Sequence, residues 1–423
     1  MSLLLLSAKR ILATPKNTRS IWTGLTTSGS SIEECVQTSV ESLKTDKAPD
    51  VCVVLASKSF SLGHYQTLIQ ELHKNLKPDL LLGGVVDRVP QVDHGISIWL
   101  GYDEKVVPFT IEDSQDRLKI RSISVGRWGR SEETERLKFQ SDHIDKVGWK
   151  DFGSVSTPVQ DFELPPGLTE KPSFVFTISD NEPDQLLQSL DHHYPDVSKV
   201  GIIGASTPFV TGEPYTLFKG NSIMGSGIVG FASYGDKKGK VSLSHEAMEK
   251  LGKPVKITRC RGNIILDLDE GGATGLLLKL IQGGPKLSKD EEFYLAVYPP
   301  NEDEKSEGNV TVSRITSGDP GRGNMSVDTT ADLQIGQTVQ FLRKKCLEFK
   351  NVSSDPIELD EIVFGVSSKD HTIDAAPVKI PKGASVISDV FGGVSENGVI
   401  VGRSNIPSEV LDVPFSKVTF KLT

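Results

Sequence analysis

The run DVCVVLA, residues 50–56, is apolar throughout after its opening aspartate. A strand of that composition is buried on both faces, as strands inside parallel sheets are. HYQTLIQELHKNL, residues 64–76, repeats Tyr65, Leu68, Ile69 and Leu72 at helical spacing, and DLLLGGVV, residues 79–86, returns as a second apolar strand. The same form recurs later. SFVFTIS (173–179) reads as a strand, Pro183 opens a helix through Leu186, Leu187 and Leu190, and KVGIIGAST (199–207) leads back. Two strand–helix–strand units, each with the right-handed crossover that parallel strands require, set the fold class as α/β (α+β), with mixed β-sheets packed against helices. They predict one sheet holding 50–56, 79–86, 173–179 and 199–205, with both glycine turns at one edge.

Those turns are the first candidate site. Gly83-Gly84 leads to Asp87 and Arg88, and Gly204 leads to Ser206 and Thr207. Ligands of open α/β sheets collect at the carboxyl ends of strands. Glycines at chain reversals also serve plain close packing, and a neighbouring Asp and Arg also form ordinary surface ion pairs.

Around the two units the chain is organised by punctuation. SSIEECVQTSVESL offers Ser31 and Glu34 as a capping box for a helix with Ile32, Cys35, Val36, Val40 and Leu43 on one face. The charged stretch 127–167, with Trp128 and Trp149, reads as an insertion or a partner-binding lobe. GDKKGK (235–240) marks a boundary, so one domain is expected over 21–237 and another over 238–423. The second domain predicts a helix around HEAMEKL, strands at VKITRCRG, NIILDLD and FYLAVYP, a helix at GATGLLLKLIQ, and a solvated loop at NEDEKSEG (301–308).

Composition excludes some partners. Of 423 residues 37% are hydrophobic, which suffices for real cores, and the net charge of −9 argues against nucleic acid, whose phosphates demand clustered cations. Cys35, Cys52, Cys260 and Cys346 show no C-x-x-C pair or zinc-ligand spacing, so no metal is expected and the thiols read as free in a reducing compartment. Residues 1–20 carry Lys9, Arg10, Lys16 and Arg19, and no acid precedes Glu33, the composition of a mitochondrial transit peptide. Its leucine run, 3–6, is too short to span a bilayer, and the protein is not expected to be integral to a membrane.

Catalytic motifs fail on inspection. GSGIVG (225–230) matches G-x-G-x-x-G but reads as part of a strand rather than the start of a helix. Asp267 and Asp269 in DLDEGG point to one side of an extended chain, as paired carboxylates do, yet Gly271 stands where a phosphoryl-transfer motif of this form has Thr or Val. A helix-capping stretch is the simpler reading. There is no G-x-S-x-G elbow and no P-loop, and His192 and His193, being adjacent, point apart on a helix. No catalytic residue and no cofactor are assigned.

The strings GLTTSGSSIEECVQTSVESL, DVCVVLAS, LLLGGVVD, SGIVGFAS, FYLAVYP, TSGDPGRGNMSVDTTADLQIGQTVQFLRK and FGGVSENGVIVGR resemble the FIST domains, an N-terminal one followed by a C-terminal one. The family occurs in sensory proteins and in an F-box protein; this chain has a basic leader where an F-box segment would stand. The resemblance implies sensing of small ligands, amino-acid-like ones among them, and no established reaction. In GDPGRGN, Asp319-Pro320-Gly321 is a turn signal, and Arg322 supplies a fork of donors that turn chemistry does not need. The expected ligand residues are therefore Asp87, Arg88, Ser206 and Thr207 in one pocket, and Arg322, Asn324, Ser395, Glu396 and Asn397 in another. A hydrolase or transferase using Asp267 and Asp269 or Cys260, and a protein-interaction adaptor, are the alternatives.

Overall fold

The computed structural model describes residues 21–43, 47–112, 163–269, 271–282, 291–299, 310–329, 332–345, 361–367, 380–381 and 383–423. The leader, the stretch around Trp128 and Trp149, and the acidic loop at 301–308 lie outside the described residues. The first elements are β1 (Ile21–Ser28), α1 (Ile32–Leu43), β2 (Val51–Ser57), α2 (Leu62–Leu76), β3 (Leu80–Val86), β4 (Gly95–Tyr102) and β5 (Val106–Ile111). Next come β6 (Phe174–Ser179), α3 (Asp184–His193), β7 (Ser198–Ile203), β8 (Leu217–Lys219), β9 (Ser222–Met224), β10 (Ile228–Ser233) and β11 (Gly239–Ser244). Then follow β12 (Met248–Arg261), β13 (Ile264–Leu268), β14 (Gly271–Gly272), α4 (Ala273–Gln282), β15 (Phe293–Val297), β16 (Thr311–Gly318), β17 (Met325–Val327) and β18 (Thr338–Lys344). The last are β19 (Glu361–Val366), β20 (Ser385–Ser388), β21 (Val390–Ser395), β22 (Val399–Arg403), β23 (Ile406–Leu411) and β24 (Lys417–Leu422).

The protein is α+β, with several mixed sheets. Both strand–helix–strand units form as expected, with β2 parallel to β3 and β6 parallel to β7. They do not share a sheet. One sheet runs β20-β1-β4-β2-β3-β8-β9 and another β23-β22-β7-β6-β10-β5. The reason is that antiparallel neighbours occupy the flanks of each unit: β4 and β8 beside β2 and β3, β22 and β10 beside β7 and β6. With its edges paired, neither unit can extend the other, and the two sheets meet face to face instead.

An aromatic cluster fills the space between them. Trp99 of β4 stacks on Trp22 of β1 at 4.0 Å between ring centroids, lies 5.7 Å from Phe176 of β6, and stacks on Phe391 of β21 at 5.6 Å. Phe391 belongs to a third sheet, β11-β24-β19-β21, whose Phe364 and Phe420 join the same core. Gly24 lets β21 cross β1, because a Cβ there would sit 2.9 Å from that of Phe391. The outer face of the first sheet is covered by α1 and α2 through Cys35, Val36, Tyr65, Leu68 and Leu72. Strands on both sides of residue 237 share sheets, since β20 pairs with β1 and β22 with β7.

The remaining strands close on themselves. In the order β12-β18-β15-β16-β17-β13, β12 also pairs with β13, making a small barrel around Ile257, Ile265, Leu295 and Phe341. The helix expected around HEAMEKL is instead a turn at Glu246-Ala247 followed by the start of β12. Seven residues cannot sustain a helix alone, and from Met248 onward the ladder against β18 offers the backbone its partners instead. GATGLLLKLIQ is helical as expected, in α4. The stretch from Gly318 to Leu342 holds the end of β16, β17 and most of β18, with Arg322 at an exposed hairpin tip.

Candidate functional site

The carboxyl ends of several strands gather at one seam between the sheets. The two glycine stretches come together there, though not at one edge of a shared sheet: they belong to different sheets, Gly83 and Gly84 lie within β3 rather than in a turn, and the Ala205 N–H just past β7 donates to Val85 O of β3 at 2.8 Å. The end of β21 crosses the same point. Its Val394 exchanges backbone hydrogen bonds with Asp87 and Arg88, the Asp87 N–H to Val394 O measuring 2.9 Å and the Val394 N–H to Arg88 O 2.9 Å. Asn397 donates its side-chain amide to Gly204 O at 2.9 Å, and Gly398 O accepts from the Ile203 N–H.

Asp87 is the centre of this arrangement. Its side chain is 6% exposed, and Oδ2 accepts from the Glu396 N–H at 2.5 Å and the Ser367 hydroxyl at 3.3 Å. Oδ1 lies 2.5 Å from the ammonium of Lys58, which follows β2 directly. Arg88 turns away to Asp93 at 3.5 Å. Tyr215 lines the neighbouring face; burial raises its phenol pKa, and the carboxylates of Asp180, Glu182 and Glu396 raise it further. Ser206 is exposed beside this seam. Thr207 is buried, and its hydroxyl is engaged with Thr216 at 2.8 Å and Glu213 O at 3.1 Å, which shapes the 207–216 loop.

The structure regroups the expected residues. Ser395, Glu396 and Asn397 stand with Asp87, not with Arg322. The Arg322 side chain is 83% exposed, with Nε 3.8 Å from Asp319 Oδ2, on the barrel's β16–β17 hairpin. That turn is held by Asp319 itself, whose Oδ1 accepts from the N–H groups of Gly321 and Arg322, while Gly323 takes φ 77°. An exposed pair of this kind contributes at most about 1 kcal/mol. Asn324 offers its carbonyl to the Thr274 hydroxyl and the Asp319 N–H.

Lys58 and Ser367 were missed by the sequence reading. Lys58 could have been found by the rule that found Asp87, since it is the first charge after a buried strand. Ser367 could not, being 280 positions from its partner.

Nucleophile candidates are poorly served. Asp267 pairs with Arg259 at 2.9 Å and Asp269 accepts from the Lys256 N–H at 2.9 Å, so both carboxylates tie β12 to β13. Burial, and then Asp332, raise the Cys260 thiol pKa, and Sγ donates to Leu333 O. Near the seam Ser59 and His94 Nδ1 share a 2.7 Å hydrogen bond. His94 Nε2 is buried without a partner, so no carboxylate orients the ring as a catalytic triad requires, and burial and His64 lower its pKa. Among the described residues no group of three or more His, Cys, Asp and Glu could hold a metal ion, and no helix is long and apolar enough to cross a membrane.

No curated protein and no solved structure matches the chain. The family model described as FIST N domain matches residues 19–271, more than half of the chain. FIST domains are small-ligand-sensing domains of signal transduction. Their span here includes β2, β3, β6 and β7, whose carboxyl ends build the seam around Asp87. By that match the chain belongs to the FIST N domain family.

Proposed function

We propose that this is a regulatory protein that binds an amino-acid-like ligand at the Asp87 seam and senses it without transforming it. The observation that carries this reading is the buried Asp87 carboxylate, held on one oxygen by Ser367 and the Glu396 N–H and facing a cation with the other. A carboxylate so placed recognises an ammonium group, and the ammonium of Lys58, the hydroxyl of Ser206 and the amide of Asn397 suit a ligand's carboxylate end. In this reading residues 238–423 act as a FIST C-like part whose Ser395, Glu396 and Asn397 complete the pocket. Arg322 and Asn324 belong to the distant hairpin.

A thermal-shift screen of the full chain against amino acids, amines and central metabolites tests this. A ligand at 100 times its Kd raises stability by about 2.7 kcal/mol, and the shift is expected to disappear in Asp87→Asn. No shift with any compound would remove the sensing reading and leave the adaptor.

We further propose that the protein works in mitochondria. The support is compositional: the four cations and absent acids of residues 1–20 suit import along a membrane potential. Residues 1–30 fused to a soluble reporter are expected to carry it into mitochondria; a cytosolic reporter would sink the assignment.

A further inference from the structure

We propose that Lys58 is a built-in plug: its ammonium occupies the subsite on Asp87 Oδ1 that a primary ammonium of the ligand takes by displacing it. The inference rests on the reading of the seam as a ligand site and adds how that site is kept closed.

The two oxygens of Asp87 are treated differently. Oδ2 is committed to the Glu396 N–H and the Ser367 hydroxyl, groups delivered by β21 and by the residue after β19. Oδ1 is buried and has no aligned hydrogen bond. Among the described residues its close neighbour of opposite charge is Lys58 Nζ, at 2.5 Å but outside hydrogen-bond alignment. A buried carboxylate oxygen left in that state is costly, and a well-aligned N–H donor is what it lacks.

The two partners also differ in freedom. The Lys58 side chain is 42% exposed, against 6% for Asp87. Its backbone is pinned where the N–H donates to Val86 O at 2.8 Å, so only the flexible stem must swing for the ammonium to leave. The exposed stem lets Lys58 swing aside, whereas the buried Asp87 cannot follow. A small primary ammonium is not tethered to the chain, so once Lys58 has swung aside it is free to orient an N–H on Oδ1 and make the hydrogen bond the plug fails to make. The displaced Lys58 then stands beside the site as a cation for an anionic group at the ligand's other end. The nearby Arg88 is already turned to Asp93 and does not compete for Asp87.

Chemical rescue tests this on the full chain without any natural ligand. Lys58→Met removes the plug and leaves Asp87 intact. Methylammonium is expected to raise the Tm of Lys58→Met saturably by about 2 °C, and to need at least tenfold higher concentration to act on the wild type. Tetramethylammonium, which has no N–H, is expected to do nothing at equal ionic strength, and Lys58→Met with Asp87→Asn is expected to lose the response. An equal response of wild type and Lys58→Met, a response to both cations alike, or one that survives Asp87→Asn overturns the proposal. If Lys58→Met does not fold, 15N-lysine NMR of the intact protein replaces it: displacement shifts the Lys58 Nζ signal during a methylammonium titration, and an unmoved signal defeats the plug. A failed rescue beside a successful ligand screen removes the plug alone, and a failed screen beside a successful rescue removes only the amino-acid-like ligand.

Discussion

Asp191→Ala is expected to destabilise the protein by about 3–5 kcal/mol, the usual loss when a buried charge is left without its partner. Lys199 of β7 is 1% exposed, and its ammonium donates to Asp191 Oδ1 at 2.7 Å and to Tyr194 O at 2.8 Å. Asp191, on the last turns of α3, also accepts from the N–H and hydroxyl of Ser408 at 2.6 and 2.7 Å. One carboxylate thus joins α3, β7 and β23. Alanine at 191 leaves a buried ammonium with a single carbonyl and strands the Ser408 N–H. Lys199→Met is expected to cost much less, because it removes the charge that has to be satisfied. Urea denaturation of both variants checks this, and a Lys199→Met loss as large as that of Asp191→Ala would show that packing, not charge, holds the site.

His245 is expected to make stability fall by about 3 kcal/mol between neutral pH and pH 4. It lies just before β12, with Nδ1 sharing a 2.7 Å hydrogen bond with the Ser416 hydroxyl and Nε2 buried without a partner. Burial, and then the charge of Arg403, push its pKa down to about 4 from the ordinary 6.5. Between those values the unfolded chain binds a proton that the folded protein refuses, so stability rises with pH across the window and is lost as pH falls through it. Glu409 acts in the opposite sense: burial, the largest cause, raises its pKa, and Arg403 opposes the rise. The comparison that isolates the histidine is His245→Gln against wild type by urea denaturation at pH 7, 5.5 and 4. The variant is expected to show the shallower pH dependence; parallel curves would refute the assignment.

Much of the local structure was legible because it rests on neighbours in the chain. The apolar runs at 50–56 and 79–86 had to be buried strands and the 3.6-residue spacing between them a helix. The capping residues of α1 do as their positions suggest, the Glu34 N–H donating to Ser31 Oγ at 3.2 Å, although its carboxylate reaches back to Ser30. The 318–324 turn was legible for the same reason: Asp319 holds its own backbone, and Gly323 takes a φ that other residues resist. The candidate site was half legible. Asp87 followed from the rule that ligand groups sit at strand ends, whereas the two glycine stretches meet across two sheets rather than at the edge of one.

By itself, then, the sequence determined the two strand–helix–strand units, their helical faces, the hairpin carrying Arg322 and the carboxylate at the end of β3. Long-range packing decided the rest: that the units lie in separate sheets, that β12 starts at Met248 where a helix was expected and closes a barrel, and that Ser367 and Glu396 reach Asp87 from 280 and 309 positions away. The division has one physical cause. Side-chain periodicity, caps and turns act over a few residues, so their energies can be read along the chain. Which sheet edge is already paired, and which distant backbone N–H meets a buried carboxylate, depends on all the other strands being in place. That information sits in the packing of the two sheets around Trp99 and Phe391, and no local run of residues carries it.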